Sequence, residues 1–144
     1  MPALADDSGL EVDALDGGPG VRTRRYAGPN ATDADNNEKL MGELAGVPLE
    51  RRAARYVCVL ALVLQDPAAP GGLLVTTRRG TARGRITLEP RGSGGFGYDP
   101  LFEPARERHG GRTFGQYTPG EKAAISHRGR AARRMAPVLR DLGF

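Results

Sequence analysis

The residues of this sequence best suited to bind a ligand lie in a glycine-rich stretch at positions 92–100, GSGGFGYDP. Glycine lacks a Cβ, so a ligand can approach such a backbone closely and positive φ angles become accessible. Bare N–H groups there can form an anion-binding concavity, and the ring of Phe96 can lie flat against a planar ligand. These features would suit a nucleotide. A lone glycine-rich loop is a weak signal, however, and a hairpin anchored to the core by Phe96 and Tyr98 fits the composition equally well.

Two adjacent acids, Asp6 and Asp7, form a second candidate site. Hard divalent cations prefer carboxylate oxygens, so the pair is compatible with a metal site. Asp and Ser side chains also cap turns through their own backbone, and Leu10 and Val12 belong to an alternating pattern that is typical of a strand. On the residues alone, a turn at positions 6–9 between extended segments is favoured over a metal site.

A helix that carries the third set of candidates is predicted to begin at Thr118. Thr118 as N-cap, Pro119 at the first helical position and Glu121 at the third make a strong helix start. The helix is expected to run toward position 142. Pro137 should kink or interrupt it, because proline cannot donate the intrahelical hydrogen bond.

His127 and Arg128 are unusual within this predicted helix. Consecutive helical residues point about 100° apart, so the two cannot simply share a face with Lys122. Either the helix is broken near Gly129, or the two residues contact a ligand from different sides. Solvated side chains on an exposed helix are the more common alternative.

The remaining segments predict a mixed α/β domain. A helix is expected from Thr32, whose spacing to Asp35 is that of a capping box. The apolar run at positions 55–65 predicts a central strand that is buried on both faces. Residues 73–77 and 85–88 predict further strands, with an arginine-rich hairpin tip between them. We expect a twisted central sheet with flanking helices and a nucleotide cleft beside the glycine-rich stretch.

Composition restricts the class of protein. The chain has 144 residues, of which 39% are hydrophobic and 26% charged, and these values are typical of one soluble globular domain. No apolar run reaches the roughly 18 residues that a membrane helix needs. The single cysteine, Cys58, cannot form an internal disulfide, which favours the cytoplasm. The net charge of +4 permits binding of nucleic acid or of small polyanions and decides between neither.

Four stretches occur in an order that resembles the Ham1-like family of nucleoside triphosphate pyrophosphatases, which includes inosine triphosphatase and XTP/dITP diphosphatase. They are ADDSGL at 5–10, PGV at 19–21 followed by Arg25 and Tyr26, GGFGYDP at 94–100, and EKAAISHRG at 121–129. The resemblance covers nearly the whole chain, and its last two stretches are highly diagnostic.

This resemblance implies hydrolysis of deaminated purine triphosphates such as ITP, dITP and XTP to the monophosphate and pyrophosphate, with Mg²⁺ as cofactor and usually in a homodimer. By motif, Asp7 would hold the metal and act as general base toward the attacking water. The implied substrate-binding residues are Ser8 beside Asp7, Phe96 stacked on the purine, Gly97, Tyr98 and Asp99 in the pocket wall, Lys122, and His127 with Arg128 at the 6-keto base.

The family pattern also sets an expectation about the start of the chain. It places a strand, a segment of the type Ser/Thr-x-x-Asn-x-x-Lys-x-x-Glu and a helix with further acids before the DDSG stretch, and nothing of that kind precedes Met1. We therefore expect residues 1–144 to form a single domain of this family that lacks the N-terminal segment.

Three functions follow from these patterns. The first is the pyrophosphatase itself, and the second is an N-terminally truncated nucleotide-binding form with impaired catalysis. The third is a nucleic-acid-binding module that uses the arginine-rich tips. Aromatic residues are not interleaved with those arginines, so no stable binding of nucleic acid is expected.

Overall fold

The computed structural model describes residues 2–144 and has one four-stranded sheet with flanking helices. Its elements are β1 (Ala3–Val12), α1 (Asp33–Glu43), β2 (Ala53–Gln65), β3 (Leu73–Ile86), β4 (Phe102–Pro104), α2 (Pro119–Ile125) and α3 (His127–Asp141). The strands lie in the order β1-β2-β3-β4, and each neighbouring pair is antiparallel. The expected α/β class, a central sheet with helices packed against it, is confirmed.

The acidic stretch at positions 6–9 is part of a continuous strand, and the predicted turn was wrong. β1 pairs with β2 along its whole length. The ladder of interstrand hydrogen bonds therefore outweighs the local turn preference of Asp, Ser and Gly. Because side chains alternate along a strand, Asp6 and Asp7 point to opposite faces of the sheet.

β2 is the central strand, as predicted, but only one of its faces is fully buried. Val57 and Val59, which point to the other face of the sheet, are partly exposed. The buried residues of α1 and α3 cluster only with the fully buried face of β2, so the other face stays partly exposed. The buried side chains of β2 are Ala54, Tyr56, Cys58, Leu60 and Leu62.

β3 is one strand of 14 residues, where the sequence predicted two strands and a hairpin tip. It pairs with β2 through residues 73–85, and α3 packs against it. Arg130 of α3 donates a hydrogen bond of 2.9 Å to the carbonyl oxygen of Thr81, and Arg134 donates one of 2.7 Å to that of Arg79. Tertiary contacts thus override the weak local strand preference of this segment. The arginines assigned to the tip, Arg78, Arg79, Arg83 and Arg85, lie along the strand.

The predicted C-terminal helix is in fact two helices that meet at Ser126. α2 begins at the predicted capping box, in which Thr118 and Glu121 each bind the backbone N–H of the other. Ser126 has an extended backbone, ends α2, and caps α3 by accepting a hydrogen bond of 3.0 Å from the Gly129 N–H. α3 continues through Pro137 to position 141, so the proline does not interrupt it.

α1 begins at the predicted capping box of Thr32 and Asp35, whose two reciprocal hydrogen bonds measure 3.0 and 3.1 Å. Leu40 and Leu44 are fully buried in the main core cluster. None of the helices described for residues 2–144 combines the length and the apolar character that a membrane span requires.

Candidate functional site

The glycine-rich loop is held in place by a buried carboxylate. Asp99 is only 2% exposed and accepts hydrogen bonds from the backbone N–H of Phe96 at 3.0 Å, the hydroxyl of Tyr56 at 3.1 Å and the ammonium of Lys122 at 2.5 Å. Gly95 has a φ of +69°, and a Cβ at this position would overlap the Asp99 carboxylate. A buried carboxylate with a cation and two further donors is well satisfied, so Asp99 fixes the loop to both β2 and α2.

Tyr98 anchors the loop to a different part of the fold. Its ring is 1% exposed, and its hydroxyl donates a hydrogen bond of 2.6 Å to the carbonyl oxygen of Thr23. Burial raises the pKa of the Tyr98 hydroxyl well above its usual range. Tyr98 and Asp99 therefore hold the loop from its buried side. Their assignment to substrate contact stays a prediction.

A cavity of about 420 Å³ opens in front of the loop. The ring of Phe96 is 52% exposed and has two cations over it. The ammonium of Lys122 lies 4.2 Å from the ring centroid, and the guanidinium of Arg128 lies 4.8 Å from it. The cavity is lined by Gly94, Gly95, Phe96, Tyr117, Pro119, Lys122, Ala123, Ser126, His127 and Arg128. An aromatic surface flanked by two positive charges suits a planar anionic ligand.

His127 is a buried member of the cavity wall, where a solvated helix residue was the common expectation. It is 3% exposed, and its ring stacks on that of Tyr56 with the centroids 4.6 Å apart. Burial lowers the pKa of the His127 imidazole to about 4, and the positive charges of Arg128 and Lys122 act in the same direction. The Nδ1 atom has no hydrogen-bond partner within residues 2–144. At neutral pH this is an uncharged imidazole with unused hydrogen-bonding capacity.

Arg128 connects the acidic strand to the aromatic loop. Its Nε atom lies 3.1 Å from a carboxylate oxygen of Asp6 and 3.3 Å from the hydroxyl oxygen of Ser8. Ser8 in turn donates a hydrogen bond of 2.7 Å to Asp6. The thiol of Cys58 lies beneath this group, and burial raises its pKa. Ser8 and Arg128, both expected to bind substrate, are thus neighbours, and Asp6, which the sequence offered only as half of a possible metal pair, joins them.

Asp7 does not join this cluster. It is exposed on the opposite face of the sheet from Ser8 and Arg128, and none of the ion pairs formed by residues 2–144 involves it. Within the same residues, no group of three or more Asp, Glu, His or Cys side chains is arranged to hold a metal ion. The assignment of Asp7 as metal ligand and general base stays a prediction.

Three supporting residues were not predicted from the sequence. Tyr56 seemed an ordinary member of an apolar strand, yet it contacts both Asp99 and His127. Asp33 and Asn37 of α1 bind the backbone of Gly97. Their spacing of four residues places both on one helix face, and this was the one signal in the sequence that could have pointed to them.

Comparison with protein-family models gives a match to the model described as the Ham1 family over residues 1–138. Among curated relatives, the dITP/XTP pyrophosphatase of Syntrophobacter fumaroxidans is 53% identical over 131 residues, which cover 91% of this chain and 52% of the relative. The dITP/XTP pyrophosphatase of Mycolicibacterium paratuberculosis is 50% identical over 142 residues, which cover 99% of this chain and 65% of the relative. The chain therefore spans about half to two thirds of the length of these relatives.

Solved structures agree with the sequence comparisons. The Staphylococcus aureus Ham1 protein superposes with a TM-score of 0.84 at 36% identity, covering 98% of this chain and 68% of that protein. A HAM1 protein from Coxiella burnetii gives a TM-score of 0.83 at 42% identity, with the same two coverages of 98% and 68%.

Proposed function

The chain belongs to the Ham1 family, and from this we propose that it acts on deaminated purine nucleoside triphosphates such as ITP, dITP and XTP. The proposed reaction is hydrolysis to the nucleoside monophosphate and pyrophosphate. The single observation that carries the proposal is the cavity in which Phe96 is exposed beneath the cations of Lys122 and Arg128. The names of the relatives, dITP/XTP pyrophosphatase, point to the same substrate class.

Recognition of the base is assigned to Phe96, His127 and Arg128. A purine stacked on the half-exposed ring of Phe96 would lie beside the helix start that carries the other two residues. The keto oxygen at C6 of hypoxanthine or xanthine accepts hydrogen bonds, whereas the amino group of adenine donates them. Arg128 has donors only, so it favours the keto bases over adenine. The neutral imidazole of His127 adds a donor or an acceptor without a further charge.

Further contact with the substrate is assigned to Lys122 and Ser8. Lys122 supplies positive charge in the cavity wall, and Ser8 supplies a hydroxyl 3.3 Å from Nε of Arg128. A triphosphate is strongly anionic, so attack by water requires that this charge be neutralised. Gly97, Tyr98 and Asp99 are assigned to the wall that keeps Phe96 in place.

Mg²⁺ is proposed as the cofactor, with Asp7 as its ligand from this chain. Mg²⁺ keeps several waters and binds through one or two carboxylates together with substrate phosphates, so a single exposed carboxylate fits such a site. When bound, the ion would neutralise phosphate charge. Asp7 itself is proposed to accept the proton of the attacking water. We further propose that residues 1–144 form one domain of the family, that the protein acts in the cytoplasm, and that it forms a homodimer.

A nucleotide-binding form with impaired catalysis is the second candidate. It is favoured by one specific observation, that Asp7 lies on the opposite face of β1 from the side chains that line the cavity. Such a protein would bind ITP in the cavity and release no pyrophosphate.

Pyrophosphate release in the presence of Mg²⁺ tests the proposal, with ITP, XTP, GTP and ATP compared on the purified chain. Selective release from ITP and XTP is expected. Phe96→Ala should weaken binding of ITP, whereas Phe144→Ala, which truncates an exposed phenylalanine outside the cavity, should leave it unchanged. ITP binding without release would support the second candidate. No selective binding of any of the four nucleotides would overturn both.

A further inference from the structure

We propose that Asp33 and Asn37 are positioning residues that hold Gly97 and thereby present the ring of Phe96 to the cavity. The inference rests on the proposed function in one respect, namely that Phe96 is the surface on which a base stacks. It assigns a role to the first turns of α1, which carry none of the residues of the nucleotide-binding motifs.

The two side chains bind both hydrogen-bonding groups of one residue. The N–H of Gly97 donates a hydrogen bond of 2.8 Å to the carboxylate of Asp33, and Nδ2 of Asn37 donates one of 3.2 Å to the carbonyl oxygen of Gly97. Residues four apart on a helix are neighbours on its surface. α1 therefore binds the loop through two adjacent side chains.

Within the loop, Gly97 lies in one turn, in which the N–H of Asp99 donates a hydrogen bond of 3.2 Å to the carbonyl oxygen of Phe96. The φ of Gly97 is +59°, and no heavy atom lies within 4 Å of the place where a Cβ would be. Its chain neighbours are held by other means, because the N–H of Phe96 binds Asp99 and the ring of Tyr98 is buried. Gly97 thus connects the buried Tyr98 to the exposed Phe96, and the hydrogen bonds to α1 bind both of its own polar groups.

The ring of Phe96 depends on this backbone because it is not packed in a core. Phe96 is 52% exposed and belongs to neither buried cluster. Rotation of the peptide groups at Gly97 would carry the ring away from Lys122 and Arg128, which lie over it.

The orientation of Asn37 supports a specific role. Its Oδ1 atom is buried without a hydrogen-bond partner among residues 2–144, and a buried polar atom without a partner costs free energy. Exchanging the positions of Oδ1 and Nδ2 would set two acceptor oxygens against each other at Gly97. The orientation with Nδ2 toward Gly97 is therefore the one in which the amide binds the loop.

Four variants test the role. Asp33→Ala and Asn37→Ala each remove one hydrogen bond to Gly97, whereas Asp33→Asn keeps an acceptor oxygen and should rescue. Asp35→Ala is the matched control, because Asp35 lies in the same turn and caps the helix start but does not contact the loop. Two readouts are needed: hydrogen exchange of the Gly97 amide by NMR without nucleotide, and the dissociation constant for ITP.

Asp33→Ala should speed exchange of the Gly97 amide and weaken ITP binding by about three- to tenfold, with Asn37→Ala similar in binding. Asp33→Asn should resemble the unmodified protein in both readouts. Asp35→Ala should lower stability alone. If Asp33→Ala and Asp35→Ala gave the same amide exchange, the role would be overturned, whatever the binding data. If amide exchange responded as expected but the unmodified protein bound no ITP, the proposed function would be wrong. The conclusion that Asp33 and Asn37 position Gly97 would still be supported.

Discussion

The imidazole of His127 is stacked on the phenol ring of Tyr56, with the ring planes 11° apart. The hydroxyl of the same tyrosine donates to Asp99. One side chain of the central strand therefore supports both the histidine at the start of α3 and the carboxylate behind the glycine-rich loop. His127 is buried in this arrangement, and burial is the main reason that its pKa is low.

The first prediction concerns the pH dependence of stability. An imidazole in the unfolded chain titrates near 6.5, whereas in the fold the pKa of His127 is about 4. Between these values the unfolded state binds more protons, so stability present above pH 6.5 is lost as the pH falls toward 4. Between pH 7 and pH 5, the free energy of unfolding should fall by about 2 kcal/mol more in the unmodified protein than in His127→Gln.

Urea unfolding of both proteins at the two pH values measures this difference. Carboxylates that titrate in the same range contribute equally to both proteins and cancel. An equal fall in both proteins would show that folding does not lower the pKa of His127.

The second prediction concerns the buried pair of Asp99 and Lys122. Asp99→Asn removes the charge but keeps the shape, and it leaves the ammonium of Lys122 without its counter-ion in a site where that side chain is only 14% exposed. Breaking a buried pair in this way costs about 3 kcal/mol. Glu11→Gln is the control, because the pair of Glu11 and Arg55 is more exposed and should contribute less than about 1 kcal/mol. Thermal or urea unfolding that gave the same loss for both variants would contradict this account.

The third prediction separates the two acids of β1. Asp7→Asn should lower kcat by about 10²-fold or more with little change in ITP binding, because it removes the proposed base. Asp6→Asn should instead raise KM by about fivefold or less, because it weakens only a half-exposed ion pair with Arg128. Steady-state kinetics with ITP distinguish the two patterns. Full turnover by Asp7→Asn would remove Asp7 from the mechanism.

Local signals in the sequence predicted the parts of this structure that local interactions determine. The capping boxes at Thr32 and Thr118 were predicted because cap and partner lie three residues apart. For Phe96 the glycines left two alternatives open, an exposed ring and an anchor in the core, and the ring is 52% exposed. The α/β class followed from the order of apolar segments.

Contacts between distant segments could not be predicted in this way. The hydrogen bond between Asp33 and Gly97 joins residues 64 positions apart. Neither residue type indicates which distant residue it will bind. The opposite orientations of Asp6 and Asp7 follow from the pairing of β1 with β2, which overrides the local turn preference. A break near Gly129 was one of two alternatives for this helix, and the break between α2 and α3 lies at Ser126, where the serine hydroxyl caps the second helix.

The last prediction tests why Gly129 is needed at that junction. A Cβ at position 129 would collide with the carbonyl oxygen of Ala123 in α2, so a side chain at this site would displace the two helices from each other. Gly129→Ala should lower the free energy of unfolding by about 1–3 kcal/mol, which is typical of overpacking.

Gly120→Ala is the matched control, because a Cβ there meets open space within α2. This substitution should stabilise the helix by up to about 1 kcal/mol. Since His127 and Arg128 lie between the junction and Gly129, Gly129→Ala should also weaken ITP binding, and Gly120→Ala should not. Equal stability of the two variants in urea unfolding would show that the helices can separate at little cost.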